Sequence, residues 1–194
     1  MLRYPAADLS GDFASATPYD RRMTKEFWKS FSSLLLVATI GGMPAWAQSL
    51  EERMRTAAGA YERKNFALAL SIWKPLAAEG NAEAETLLGA MYWQGEGVSR
   101  DHAEASRLYL AAAERGYARA QNDIGFMYGF GEGIPPHDDV QAYKWLSLAI
   151  NAYTVKNQER RDQAIKDLAT LKARMSPAQL AEAEAAIKAW KPKP

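Results

Sequence analysis

The stretch Ala82-Glu-Ala-Glu-Thr-Leu-Leu-Gly89-Ala-Met-Tyr92-Trp-Gln-Gly95-Glu-Gly97-Val98 returns as Ala118-Arg-Ala-Gln-Asn-Asp-Ile-Gly125-Phe-Met-Tyr128-Gly-Phe-Gly131-Glu-Gly133-Ile134. Small, aromatic and glycine positions coincide, while the polar positions between them drift. A fixed period of this length marks stacked repeats, each burying its apolar face only against its neighbours.

Within one period the pattern reads as two antiparallel helices. On the first, Ala84, Leu88 and Tyr92 share one face, with Gly89 beside them. A mid-helix glycine costs about 1 kcal/mol against alanine, so close approach of a neighbouring helix is the expected compensation, and Gly125 repeats it. Gly95-Glu-Gly97 and Gly131-Glu-Gly133 are placed to supply positive φ at the helix end and in the turn after it. A second helix starts at Asp101, where Asp101-His-Ala-Glu104 fits a capping-box-like beginning. Its buried stripe is Ala105, Leu108, Tyr109, Ala112 and Ala113, and Gly116 ends it. The third unit follows after a one-residue insertion near Pro135-Pro136, with a start at Asp138-Asp-Val-Gln141 and the stripe Ala142, Trp145, Leu146 and Ala149.

The same register extends upstream. Ala69, Ile72, Trp73, Leu76, Ala77 and Gly80 align with Ala105, Leu108, Tyr109, Ala112, Ala113 and Gly116. A helix near Leu50 to Arg63, carrying Ala57, Ala58 and Tyr61, completes a degenerate first unit over 50–81, as terminal repeats commonly are. Units two and three span 82–117 and 118–154. Beyond them, Lys156 to Met175 reads as a charged amphipathic helix with Ala164, Ile165, Leu168 and Leu171 inward. Ser176-Pro177-Ala-Gln179 restarts a helix with serine as N-cap and proline at N1, whose stripe is Leu180, Ala183, Ile187 and Trp190. Residues 156–191 are thus expected to be a pair of capping helices with a polar outer face.

The pattern Ala-x-x-x-Leu-Gly-x-x-Tyr-x-x-Gly-x-Gly-Val, followed by Asp, Ala-x-x-Leu-Tyr and Ala-Ala-x-x-Gly, resembles the Sel1-like repeat, a relative of the tetratricopeptide repeat. The opening unit, with Tyr61, Phe66, Ala69 and Leu70, is closer to the tetratricopeptide form. The resemblance implies an all-α chain: a short right-handed α-solenoid of helix-turn-helix repeats that scaffolds complexes. Its relatives include exported bacterial proteins of envelope regulation and polysaccharide secretion.

Composition narrows the partner. Lys and Arg total 24 and Asp and Glu 23, a formal charge of +1, and from Gln48 onward each sign numbers 19. With no basic stripe to neutralise phosphates, nucleic acid is not an expected partner. The chain has no cysteine and two histidines, so thiolate metal sites and disulfides are excluded and no metal or cofactor is expected.

At the other end, Met-Thr-Lys25-Glu-Phe-Trp-Lys29 precedes a run without charge from Ser30 to Ala47. Its apolar centre is Leu34 to Ala38 and its end is Ala45-Trp-Ala47, the layout of a signal peptide over 23–47 cleaved between Ala47 and Gln48. The product would be periplasmic or secreted. The uncharged run is near bilayer-spanning length, so an uncleaved membrane tether is the alternative; Gly41, Gly42 and Pro44 argue against it. Residues 1–22 are polar and aperiodic, and initiation at Met23 would leave the signal complete; if translated, they are expected to be disordered.

Chemistry-bearing motifs are sparse. Ser71-Ile-Trp-Lys74 matches Ser-x-x-Lys, yet no Ser-Asp-Asn or Lys-Thr-Gly accompanies it. His102-Ala-Glu104 lacks the Cys-x-x-Cys of a zinc deaminase, and His137 stands at the equivalent turn, where it is expected to face solvent. Glu96 and Glu132, between paired glycines, fit turn solvation or a helix-end salt bridge. An envelope hydrolase acting on β-lactams or glycans is therefore the lesser reading. Tyr92, Tyr109, Tyr128 and Trp145 hold repeat-defining positions and belong to the core. Trp93, Phe126 and Phe130 do not. Thr86, Ala90, Trp93 and Gln94 correspond to Asn122, Phe126, Gly129 and Phe130 on first helices, which line the concave face of such stacks. Thr86, Ala90, Trp93, Gln94, Asn122, Phe126 and Phe130 are accordingly the expected surface for a protein or peptide partner, the alternative being that these aromatics pack against the cap or neighbouring units.

Overall fold

The computed structural model describes residues 49–131 and 137–194. The leader readings over 1–22 and 23–47, and those on the turn residues 132–136, lie outside the described residues. Leu50–Pro194 forms one compact unit. Among the described residues there are eight α-helices and no strand. We number them α1 (Leu50–Glu62), α2 (Phe66–Ala78), α3 (Ala82–Gln94), α4 (His102–Glu114), α5 (Ala118–Phe130), α6 (Asp139–Ala152), α7 (Gln158–Arg174) and α8 (Pro177–Ala189), with a 3-10 turn at Val155–Asn157 before α7. Among them no helix is long and apolar enough to cross a membrane. Each helix packs on the next through α7, and α8 lies on α6. The architecture is an all-α solenoid.

The turns repeat as strictly as the stripes. At the end of α2, Gly80 N–H donates to Ala77 and Asn81 N–H to Leu76; at the end of α4, Gly116 donates to Ala113 and Tyr117 to Ala112. This is the Schellman pattern, which places the residue after the cap in the left-handed region; Gly80 has φ +83° and Gly116 +89°. Lys64 holds the matching place after α1 with φ +59°, and the bonds Lys64 to Tyr61 and Asn65 to Ala60 are the same.

Gly95 and Gly97 take φ of +76° and +71°, as their spacing requires. Gly131 does not follow. It is extended (φ −91°, ψ 159°), and a Cβ there would stand 2.7 Å from Met127 Cα, so space rather than dihedral demands glycine. The start of α4 also differs from a capping box. Asp101 accepts from Glu104 N–H at 3.0 Å, but the Glu104 carboxylate binds Arg107 instead of reaching back. The Asp101 amide donates to Tyr92. A full capping box does form at Ser176 and Gln179.

The core is three successive clusters along the stack. Every residue of the α4 and α6 stripes is buried. Gly89 and Gly125 sit where first and second helices touch: a Cβ on Gly89 would meet the Tyr109 ring at 3.0 Å, and one on Gly125 the Leu146 backbone nitrogen at 3.0 Å. On α7, Ala164 and Leu171 are buried but Ile165 is exposed, because α7 turns only a narrow stripe toward α6. The two terminal helices pack chiefly on α6 rather than on each other. After α8 the chain packs on the third unit and reaches back to the second: Trp190 meets Trp145 of α6 edge-on at 6.3 Å, and Lys193 N–H donates to Glu114 O at the end of α4 at 2.8 Å.

Candidate partner-binding groove

First helices α1, α3 and α5 stand in a row, and the gaps between them are the depressions of this face. The gap between α3 and α5 is a groove of about 230 Å³. Ala90, Trp93 and Gln94 form its α3 wall, Asn122 and Phe126 its α5 wall, and Tyr109 and Met127 close its floor. The neighbouring gap, about 540 Å³, lies between Leu50, Met54 and Ala58 of α1 and Glu83 and Leu87 of α3. Glu83, Leu87, Ala90 and Gln94 follow helical spacing, so one side of α3 serves both gaps.

Five of the seven residues expected from sequence line the groove: Ala90, Trp93, Gln94, Asn122 and Phe126. Thr86 is a correction. It is fully buried, and its hydroxyl donates to the Ala82 carbonyl at 2.7 Å, so it offers no surface to a partner. Its neighbour Glu85 is buried too, bound by Arg115 from the end of α4. Phe130 belongs mainly to the third core cluster. Its ring lies 5.5 Å from that of Phe126 and under the Arg174 guanidinium at 5.1 Å. It backs Phe126, which is 42% exposed. Trp93 is half-buried and stacked on the His102 ring, 4.2 Å between centroids and 22° between planes. The stack fixes one indole face and leaves an edge for the groove.

The charged lining is what sequence reasoning missed. Arg119 and Asp123, one turn apart on α5, also line the groove. Their closest approach is 3.8 Å, too long for a hydrogen bond, and Arg119 Nε is buried without a partner. Burial pushes the Asp123 carboxyl above its ordinary range, against the opposing pull of Arg119 and Arg160. Tyr61 of α1 donates to Glu96 in the glycine turn; burial first, then that carboxylate, pushes its phenol up to about 12. Glu96 is thus a tie between units, neither a solvated turn residue nor a helix-end ion pair. Burial likewise raises Tyr109, and pushes Tyr153 up to about 12; the Tyr153 hydroxyl has no partner. Opposite charges at i, i+4 were the available signal for Arg119 and Asp123.

Elsewhere the motifs carry no assembled chemistry. The Ser71 hydroxyl donates to the Leu68 carbonyl at 2.8 Å, on an exposed stretch of α2. His137 is exposed, within 2.8 Å of Asp139 and 3.1 Å of Arg174. Among the described residues no group of three or more His, Cys, Asp or Glu is placed to hold a metal.

A family model described as the Sel1 repeat matches residues 82–117 and 118–153. No curated protein matches the chain. Among solved structures the chain is similar to c5321, a protective antigen of uropathogenic Escherichia coli displaying an SLR fold, with 25% identity and a TM-score of 0.62 over 74% of this chain and 30% of that one. It is also similar to a Sel1 repeat protein from Oxalobacter formigenes, with 26% identity and a TM-score of 0.50 over 69% of this chain and 59% of that one. The chain therefore spans under two thirds of the length of either structure.

Proposed function

Since this chain carries two Sel1 repeats, units that generally mediate protein–protein interaction, we propose that it is a binding or adaptor module whose first-helix face captures a segment of a partner protein. The observation that carries the reading is the groove between α3 and α5, where Phe126 is 42% exposed beside Trp93. Large aromatics held open on a rigid wall are the usual anchors of an interface. Rigidity comes from the layers beneath: Tyr109 under Gly89, and Leu146 under Gly125. A groove fixed before binding spends little ordering entropy on association. Ala90, Gln94 and Asn122 complete the contact surface. The module acts by binding, without catalysis.

The setting proposed is the periplasm or the exterior, reached by cleavage between Ala47 and Gln48. N-terminal sequencing of the fractionated protein tests this; a membrane-bound product with an intact leader would favour the tether. For the groove, the test is cross-linking capture of a partner by the full-length protein, repeated with Trp93→Ala and Phe126→Ala. Each variant should lose about 2 kcal/mol of binding, near thirtyfold in Kd. Undiminished capture by both would place the partner site elsewhere.

A further inference from the structure

The groove holds more hydrogen-bond donors than its own residues use. Arg119 presents a fork of five N–H groups; its Nε is buried without a hydrogen-bond partner, and it faces the Asp123 carboxylate only at the 3.8 Å of a loose ion pair. Arg160 of α7 bears on that same carboxylate, so two guanidinium groups answer one anion. The Tyr153 hydroxyl, which does not line the groove but feels the charges of Asp123, Arg160 and Arg119, is a second buried group without a hydrogen-bond partner. A planar carboxylate is the complement of such a fork, binding it through two parallel hydrogen bonds. Asp123, whose charged form burial disfavours, competes weakly for Arg119.

The carboxylate must also arrive on a chain that the groove can seat. Along α3, Leu87 of the depression against α1 precedes Ala90 of the groove by one helical turn, so an extended segment laid along this helix would meet both. That geometry suits an internal side chain and not a chain terminus. Phe126 and the free edge of Trp93 are at hand for an apolar neighbour. We infer that the partner segment is an extended, acidic peptide that sets an aspartate or glutamate side chain on Arg119 and an apolar side chain against Phe126 and Trp93. The inference rests on the groove being the partner site.

The experiment is fluorescence anisotropy of the full-length protein with a positional-scanning library of fluorescein-labelled decapeptides, amidated at the C-terminus. Pools with Asp or Glu fixed beside an aromatic should bind at least about tenfold tighter than their Gln or Lys counterparts. The preference should shrink as salt rises, because it is ionic. Arg119→Gln should abolish it and Arg160→Gln reduce it, whereas Phe126→Ala should weaken all pools alike and leave the acid preference intact. Circular dichroism melts check that each variant folds. If Arg119→Gln does not fold, Arg119→Lys, which keeps the charge and loses the fork, should blunt the preference. Equal binding of Gln or Lys pools, an acid preference that survives in folded Arg119→Gln, or binding only by peptides with a free C-terminal carboxylate would each overturn the inference. Binding without acid preference removes this inference and leaves the groove reading standing; absence of binding by every pool counts against both.

Discussion

A Cβ placed on Gly125 would stand 3.0 Å from the backbone nitrogen of Leu146 and 3.0 Å from its Cγ, so α5 and α6 touch there with nothing between them. Gly125→Ala gains about 1 kcal/mol of helix propensity but overpacks a contact whose far side is backbone, a fault costing about 1–3 kcal/mol or more. The net expectation is a loss of about 1–2 kcal/mol. Gly89→Ala should lose less, because its closest neighbour is the Tyr109 ring, at 3.0 Å, which can shift. Urea unfolding of the two variants checks the order; a stabilised Gly125→Ala would mean that the helices separate without cost.

The stack was legible because its stripes are long and its period is strict. Tyr92 and Tyr128 accept from the amides of Asp101 and Asp138 at 2.9 and 3.1 Å. The one-residue insertion is therefore absorbed between those anchors, and the stripes of α4 and α6 both stand as the 3.6-residue spacing demands. Departures came where tertiary position outweighed local pattern. Gly131 resembles Gly95 in sequence, but its backbone is extended and it is its closeness to Met127 that requires glycine. Glu85 is a charged residue that spacing alone would leave in solvent; it is buried because Arg115 arrives from the next turn, 30 residues on. Ala90, Trp93, Gln94, Asn122 and Phe126 of the groove were legible from first-helix positions that the repeat does not fix. Tyr109, Arg119, Asp123 and Met127 were hidden because charge and core positions are ordinary until neighbouring units bring them together.

Lys64 is a non-glycine residue at φ +59°, exposed, and in a turn whose bonds match those of Gly80 and Gly116. The left-handed region costs a side chain about 1–2 kcal/mol, offset in part by the larger entropy that glycine loses on folding. Lys64→Gly should raise stability by about 0.5–1 kcal/mol, read as a shift in urea midpoint at constant slope. A lower midpoint would show that the lysine side chain makes a contact worth more than the strain.

Glu85 gives a signed pH dependence. Burial raises its carboxyl above the ordinary value despite Arg115. A carboxyl with a higher pKa folded than unfolded binds protons more readily in the native state. Its contribution therefore improves as pH falls through the folded value, and the penalty is fully present at neutral pH. The equivalent residue one unit on is Gln121, whose amide donates to Ala113 O at 3.2 Å. Glu85→Gln should remove this dependence. The stability of the parent protein relative to the variant should increase from pH 7 toward pH 4.5, measured by urea unfolding across that range. A flat difference would show that Arg115 fully compensates the buried charge.

Asp139 moves the other way. Burial pushes it up, but the Arg174 hydrogen bonds and charge, with His137, hold it below the usual carboxylate range. Its stabilising share is present above the unfolded value and lost as pH falls through the folded one. Asp139→Asn should therefore flatten the acid limb of the stability curve below pH 4 while loosening α7 at every pH, since Arg174 also donates to Gly129 O at 2.7 Å. An unchanged acid limb would remove Asp139 from the acid transition.

The tail after α8 closes the stack differently from a plain cap. Trp190 packs edge-on to Trp145, Pro192 lies within reach of a Cβ on Gly116 at 3.6 Å, and Lys193 binds Glu114 through both its amide and its ammonium. Residues 190–194 thus tie the third unit back to the end of α4, across a unit boundary. The exposed ion pair contributes little, so the burden falls on the indole pair, worth about 0.5–1.5 kcal/mol beyond the area it buries. Truncation after Ala189 should lower stability by about 2–3 kcal/mol, and Trp190→Ala alone should account for most of that loss. Hydrogen exchange separates a local effect from a global one: amides at the α4 end and in α6 should lose protection first, with α1 and α2 following only at the global rate. Uniform loss of protection would mean that the units unfold as one body and that the tail stabilises the whole stack equally.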